Sequence, residues 1–322
     1  MHDVLQQIRA PMAWASSRGA GARIAVIDSG ISGQLREFPV AKRSAESRCF
    51  IRSQDPLVRD PWFDPDGHGS MIAGIAAATR ADQGRYDGVA PDAEVISCKT
   101  RTDAVDIFLA FDRLRALLRR GQLKNLVVLC AFAFQEASSP DDERVDLLIE
   151  VVRDIIARGA VVVFAAGNNH PPVGWTGSVG HMSGNSIWGP GSLDEVLCVG
   201  SVSEAEDMAA PPGGHDAEGH HRSSHGPGEF AQSYPKPDCV APTYGEVIWR
   251  DGYRARLWWG SSGAAAQAAG LAALIRAQYP TLSPAEVARA IRGSCRGLNL
   301  APTQCGAGCI DCAAALRAAS PL

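Results

Sequence analysis

Apolar residues along this chain form two kinds of pattern. Short continuous runs, typical of buried strands, lie at residues 23–28, 93–98, 125–131, 160–165 and 195–202. Patterns with the helical period lie near residues 68–79, 103–120, 141–158, 262–279 and 283–293. Strands that alternate with helices indicate an α/β fold: a doubly wound, mostly parallel sheet with helices on both faces. Right-handed crossovers would bring several strand ends to one edge of this sheet.

Composition narrows the class of protein. At 322 residues and 34.0 kDa, with 46% hydrophobic residues, the chain can bury its own core as a single domain over residues 1–322. A net charge of -4 argues against a nucleic-acid partner. The chain has no apolar run of eighteen residues, which argues against a membrane partner.

The first residues and the cysteines suggest a compartment. The 27 residues before Asp28 lack the basic start and apolar centre of a secretory signal peptide, and they are few for a propeptide. Nine cysteines lie largely in predicted strands and helices, where they resemble small buried hydrophobic residues more than a disulfide framework. We therefore expect no signal peptide or propeptide and a cytoplasmic location.

Four residues with catalytic chemistry lie inside short glycine-bearing motifs. Asp28 ends the predicted strand in RIAVIDSGI, and His68 opens a helical pattern in DGHGSMIAGIAAA. Asn168 follows the strand VVVFAAGNN, and Ser262 opens the helical pattern in GSSGAAAQAAG. Each motif alone is weak, because an Asp at a strand end is often a cap and a lone His is often structural.

Together these residues supply the parts of a serine hydrolase. The Ser262 hydroxyl needs a base, and imidazole suits that task near neutral pH. Asp28 would orient His68 and stabilise its charged form. The side-chain amide of Asn168 and the backbone N–H of Ser262 would donate to the oxyanion.

At these motifs the sequence resembles the subtilisin-like serine proteases, the subtilase family. AVIDSGI, GHGSMIAGI, AAGN and GSSGAAAQAAG are similar to its aspartate, histidine, asparagine and serine motifs, in that order. The resemblance implies the catalytic set Asp28, His68, Ser262 and Asn168 in a serine endopeptidase that forms an acyl-enzyme on Ser262. It also implies that peptide or protein substrates bind along Cys130, Ala131 and Phe132, with Ala165, Ala166 and Gly167 lining the specificity pocket.

The sequence departs from the family pattern around the cleft. Phe132 stands where the family has glycine, so we expect it to narrow or fill the cleft. The family's long clamping loop is replaced by SCKTRTDAVD, which runs almost directly from strand to helix. Ala266 and Gln267 replace a proline and a histidine that follow the nucleophile in the family. From these changes around the cleft we expect the protein to accept a narrow range of substrates. A transpeptidase or peptide macrocyclase, and a catalytically quiet peptide-binding module, are the alternatives.

Other groups of residues suggest metal sites less strongly. Cys305, Cys309 and Cys312 have a spacing known from iron–sulfur sites, but their place near the end of the chain opposes that interpretation. Histidines of a glycine-rich loop are typically exposed, as we expect for His215, His220, His221 and His225. Family members often bind calcium after the histidine helix, where this chain has Asp82 and Asp87 beside Arg80 and Arg85. We predict no cofactor or metal, and leave calcium unassigned.

Two long loops flank these motifs. Residues 170–191 and 211–237 are rich in Gly and Pro, and the second is also rich in His. We expect them to form walls or lids of the cleft.

Overall fold

The architecture is that of a parallel sheet between two layers of helices. The computed structural model describes residues 1–81, 83–101, 103–134, 143–168, 186–208, 223–254 and 258–320. The strands are β1 Arg23–Asp28, β2 Arg48–Cys49, β3 Glu94–Lys99, β4 Leu126–Cys130, β5 Val161–Ala165, β6 Leu197–Val202, β7 Cys239–Pro242, β8 Val247–Trp249 and β9 Gly252–Arg254. The helices are α1 His2–Gln7, α2 Ala10–Ala13, α3 Pro56–Arg59, α4 His68–Ala77, α5 Ala104–Arg119, α6 Glu143–Ala157, α7 Gly260–Gln278, α8 Pro284–Gly293, α9 Pro302–Cys305 and α10 Cys312–Ala318.

The main sheet has the order β2-β3-β1-β4-β5-β6-β7, and all of its strand pairs are parallel. After β1 the chain builds one side of the sheet and then returns to build the other from β4 onwards. The carboxyl ends of β1, β4 and β5 are therefore neighbours at the centre of the sheet. Such a reversal point is where open α/β sheets place their ligands.

Alternation along the strands divides the core between the two faces. On β4, Val127 and Leu129 face the helix layer that contains α4 and α7, and Val128 and Cys130 face the layer that contains α5 and α6. The predicted doubly wound sheet with helices on both faces is thus confirmed.

Helix α7 runs through the middle of the first layer, and its residues from Gly260 to Arg276 are all buried. Its alanines and glycines allow neighbouring elements to approach closely. A Cβ on Gly270, for example, would lie 2.6 Å from the Val89 Cβ atom and 2.8 Å from the Ala76 carbonyl oxygen. The helix begins at Gly260, two residues before the predicted start, so Ser262 lies within its first turn.

Several elements were not expected from the sequence pattern. The short edge strands β2 and β7 and the antiparallel hairpin β8–β9 fall below the length at which periodicity is informative. Next to β7, Lys236 and Asp238 form a fully buried ion pair of 2.7 Å, which Arg292 extends at 2.9 Å. Within the described residues, no helix is long and apolar enough to cross a bilayer.

Candidate active site

Asp28 and His68 meet at the carboxyl end of the central strand. Asp28 is the last residue of β1 and is 3% exposed. His68 is the first residue of α4, and its Nδ1 atom lies 2.9 Å from each carboxylate oxygen of Asp28. Close approach of the two elements requires glycine, because a Cβ on Gly69 would lie 2.1 Å from the Gly30 carbonyl oxygen. The structure therefore brings this predicted pair together.

The position of His68 depends on Asp64, a residue that our sequence reasoning missed. Asp64 is 3% exposed, and its Oδ1 accepts hydrogen bonds from the Ser29 hydroxyl at 2.9 Å and the Gly67 N–H at 2.8 Å. Its Oδ2 accepts from the backbone N–H and the hydroxyl of Ser70, at 2.9 and 2.6 Å. One carboxylate thus caps the first turn of α4 and ties it to the loop after β1. The signal was an Asp four residues before His68 at a helix start.

The electrostatics of the pair favour a charged imidazole. Burial lowers the pKa of His68, but the charge of Asp28 and its hydrogen bond, with Asp66 and Asp64 further away, raise it to about 9. The His68 side chain is 33% exposed. An imidazole fixed through Nδ1 presents its Nε2 edge to a reacting group.

Ser262 lies in the first turn of α7 and is 9% exposed. Its hydroxyl donates a hydrogen bond of 2.7 Å to the Ala131 carbonyl oxygen, directly beyond the end of β4. Among the hydrogen bonds of the described residues, none joins this hydroxyl to His68. The structure thus shows the serine in a resting orientation, in which its proton is held by backbone and not by imidazole.

Asn168 is held in place by Ser261, a second residue that sequence reasoning missed. The Asn168 Oδ1 atom accepts from the backbone N–H and from the hydroxyl of Ser261, both at 2.9 Å. The Ser261 hydroxyl in turn accepts from the Gly167 N–H at 3.0 Å. The side-chain oxygen of Asn168 is thus bound. Its amide N–H groups have no acceptor among the described residues and remain available to another group. The sequence signal was the first serine of GSSG, directly before Ser262.

Comparison with known proteins agrees with this geometry. The model of the subtilase family matches residues 19–308. The chain belongs to the subtilase family. Mycosin-4 of Mycobacterium tuberculosis is 29% identical to this subtilase over 310 residues, which cover 87% of the chain and 61% of mycosin-4. Mycosin-3 of the same organism is 29% identical over an alignment of 349 residues, which covers 95% of the chain and 69% of mycosin-3.

A third relative and two solved structures extend the comparison. Serine protease AprX of Bacillus subtilis is 25% identical over 91% of the chain and 65% of its own length. This subtilase thus spans about two thirds of the length of these relatives. The structure of the MycP3 protease from the type VII (ESX-3) secretion system has a TM-score of 0.70 at 25% identity and covers 97% of this chain. That of MycP1 with its N-terminal propeptide removed has a TM-score of 0.69 at 24% identity and supports the fold alone.

The predicted substrate strand is only partly placed as expected. Cys130 is fully buried beneath α5 and α6, and burial raises the pKa of its thiol, so its side chain does not reach the cleft. The Phe132 ring packs edge-on against Phe164 on the same face, with ring centroids 5.8 Å apart. Ser262 lies in the first turn of α7, on the opposite face. The ring is therefore directed behind the strand, and our expectation that it fills the cleft beside Ser262 is wrong.

The residues of the predicted specificity pocket directly precede Asn168 in the chain, and their role in binding substrate stays a prediction. Ala165 and Ala166 are 3% and 1% exposed, and the Gly167 carbonyl oxygen accepts from the Ser224 N–H at 2.8 Å. The two loops predicted as walls or lids lie partly outside the described residues, at 170–185 and 211–222.

The alternative metal groups are not assembled in the described part of the chain. Cys312 lies in the main core, whereas Cys305 and Cys309 lie in a separate small cluster, and all three are free thiols. No group of three or more ligating side chains is found among the described residues. His225 is buried, so our expectation that it is exposed is wrong; its backbone N–H donates to the Ser186 hydroxyl at 3.0 Å. The other three histidines, His215, His220 and His221, lie outside the described residues.

The loop in which family members often hold calcium is occupied by arginines. Both carboxylate oxygens of Asp87 accept from Arg80, from its backbone N–H and its side chain, each at 3.0 Å. Arg18 lies 3.6 Å from the same carboxylate. Nearby, Arg85 forms an ion pair with Glu246 at 2.9 Å. Asp82 lies outside the described residues, and the described donors do not fit a hard cation.

Proposed function

We propose that this subtilase is a serine endopeptidase that forms an acyl-enzyme on Ser262. The observation that carries the proposal is the carboxylate of Asp28 on Nδ1 of His68, at the strand edge where α7 presents Ser262. His68 would accept the Ser262 proton and then donate it to the leaving amine, while Asp28 stabilises the charged imidazole.

The resting hydrogen bond of Ser262 gives substrate a part in activating the nucleophile. Its acceptor, the Ala131 carbonyl oxygen, is also the group that a peptide N–H would use when substrate pairs with the end of β4. A bound peptide would then take this acceptor, and the hydroxyl would turn to Nε2 of His68.

Negative charge on the reacting carbonyl oxygen would be stabilised by two donors. One is the side-chain amide of Asn168, whose oxygen is already bound to Ser261. The other is the backbone N–H of Ser262, near the positive end of α7. Donors fixed before the reaction need no reorganisation as charge develops.

We further propose a narrow choice among peptide and protein substrates. The connection from β3 to α5 is only four residues long, so the substrate has no long clamping segment on that side. The predicted cytoplasmic location stays a prediction, which cell fractionation would check.

Incubation of the protein with a proteome-derived peptide library, followed by mass spectrometry, tests the activity and the substrate range together. The proposal predicts a restricted set of hydrolysed peptides that disappears with Ser262→Ala. Adding an amine nucleophile separates hydrolysis from transpeptidation, since the endopeptidase should give mainly free carboxylates. Wild-type protein that leaves the whole library intact would contradict the proposal.

A further inference from the structure

The hairpin β8–β9 covers α4 directly beside the catalytic imidazole. Trp249, the last residue of β8, lies against Gly67, which immediately precedes His68. A Cβ on Gly67 would lie only 2.2 Å from the Trp249 Nε1 atom. Gly67 also has φ of +110°, which L side chains rarely adopt. Glycine at this position therefore allows an indole ring to lie next to the active site.

Arg254, the last residue of β9, is stacked on this indole. Its guanidinium carbon lies 4.1 Å from the centroid of the Trp249 ring, within the range of a cation–π contact. The Arg254 side chain is exposed. The stacking on the indole fixes a positive charge in a defined place beside the active site. A planar guanidinium that is stacked in this way retains its edge N–H groups for other acceptors.

The charge of Arg254 has no counterion in the described part of the molecule. No carboxylate of the described residues lies within 4.0 Å of the Arg254 guanidinium, the distance that defines an ion pair. Arg85 shows the contrast, since it also lies over a ring of this hairpin, that of Tyr253 at 5.0 Å, but forms an ion pair with Glu246. A positioned guanidinium with free N–H groups is suited to bind a carboxylate with two parallel hydrogen bonds.

The topology places this guanidinium on the leaving-group side of the scissile bond. The acyl half of a substrate would pair with Ala131, directly beyond the end of β4, which is a central strand of the sheet. The hairpin lies across α4 from the sheet, with Ile248 against Gly74 of that helix. His68, at the start of α4, separates the two regions, and it is also the group that would protonate the leaving amine.

We propose that Trp249 and Arg254 form a subsite for an acidic side chain, aspartate or glutamate, in the leaving half of a peptide substrate. This inference rests on the proposed endopeptidase function and adds a substrate class to it. Trp249 supplies the platform, Arg254 supplies the charge, and Gly67 permits the contact that holds both beside His68.

The test uses internally quenched eight-residue peptides with four residues on each side of one cleavable bond. Glutamate replaces glutamine at one position at a time, and kcat/KM is measured for each pair. We expect glutamate to be favoured about threefold to fivefold at one leaving-side position, the size of an exposed ion pair. Arg254→Ala should remove this preference, and Arg254→Glu should reverse it in favour of a lysine peptide.

Arg250→Ala is the matched control, since it removes the same charge from an exposed position on the same hairpin. It should leave the ratio between the glutamate and glutamine peptides unchanged. An equal loss of preference in Arg250→Ala and Arg254→Ala would show a general effect of charge and overturn the subsite. So would a ratio of one in the wild-type protein.

A binding measurement keeps the subsite separate from the catalytic proposal. Calorimetry with the Ser262→Ala variant should show tighter binding of the glutamate peptide, and adding Arg254→Ala should abolish the difference. If the wild-type protein cleaved nothing but this difference persisted, the endopeptidase function would fail and the subsite would stand. Cleavage without any dependence on Arg254 would leave the endopeptidase and remove the subsite.

Discussion

Ser261→Ala should impair the oxyanion hole without touching the triad. The Ser261 hydroxyl joins the Gly167 N–H to Oδ1 of Asn168, and both hydrogen bonds are lost with it. The backbone N–H of Ser261 still donates to the same Asn168 oxygen at 2.9 Å. The amide of Asn168 therefore loses one of its two fixed bonds and keeps the other.

Two magnitudes follow from these contacts. The Gly167 N–H is buried, so the loss of its acceptor should lower the free energy of unfolding by about 1–3 kcal/mol. Complete loss of one oxyanion donor costs about a hundredfold to a thousandfold in kcat. Because half of the fixation of Asn168 remains, we expect about a tenfold fall in kcat, with KM nearly unchanged.

A double-mutant cycle with Asn168→Ala separates the catalytic effect from the structural one. If Ser261 acts through Asn168, adding Ser261→Ala to Asn168→Ala should reduce kcat no further. Ser261→Thr retains the hydroxyl and should restore kcat. Multiplicative losses in the double variant, or a lower melting temperature with unchanged kcat, would refute the positioning role.

Four further predictions concern charge. Below about pH 9 the imidazole of His68 is protonated, so kcat/KM should rise as the pH rises towards that value. In Asp28→Asn the midpoint of this rise should move down towards pH 6.5, and kcat should fall strongly. The pair should also stabilise the fold fully below about pH 6.5 and progressively less as pH rises through about 9, which pH-dependent urea unfolding would measure. Lys236→Met breaks the fully buried pair with Asp238 and should cost about 3 kcal/mol by the same method. Because both oxygens of Asp87 are bound by arginine, neither EDTA nor added calcium should change the melting temperature.

The following results would contradict these predictions. An acid limb near 6.5 in the wild-type protein would show that Asp28 does not raise the pKa of His68. Arg153→Met is a control for Lys236, since it breaks an exposed pair with Glu195 and should cost less than about 1 kcal/mol. Equal losses for the two variants would contradict the effect of burial. Destabilisation by EDTA would establish a metal site.

Local sequence signals were sufficient to assign the residues of the proposed catalytic set to their strands and helices. The run at 23–28 and the strand Arg23–Asp28 coincide, because a central parallel strand is apolar on both faces and a polar residue marks its end. His68 likewise begins α4 as predicted. Their meeting at one edge of the sheet followed from the handedness of the crossovers.

Contacts between segments that are far apart in the chain could not be predicted from local sequence patterns. Trp249 against Gly67, and Ser261 against Asn168, depend on how α4, α7 and the hairpin pack, and no periodicity encodes that. The direction of Phe132 was different, since alternation from Val128 through Cys130 already placed it on the face away from α7. The expectation failed there because the comparison with a glycine considered volume and not direction.

Labelling with a fluorophosphonate, read by mass spectrometry of the tryptic peptides, tests whether Ser262 and His68 form one catalytic centre. We expect one adduct, on Ser262, which is absent in Ser262→Ala and forms much more slowly in His68→Ala. An adduct on another serine, or labelling of Ser262 at the same rate without His68, would contradict the claim that the two residues act as one catalytic centre.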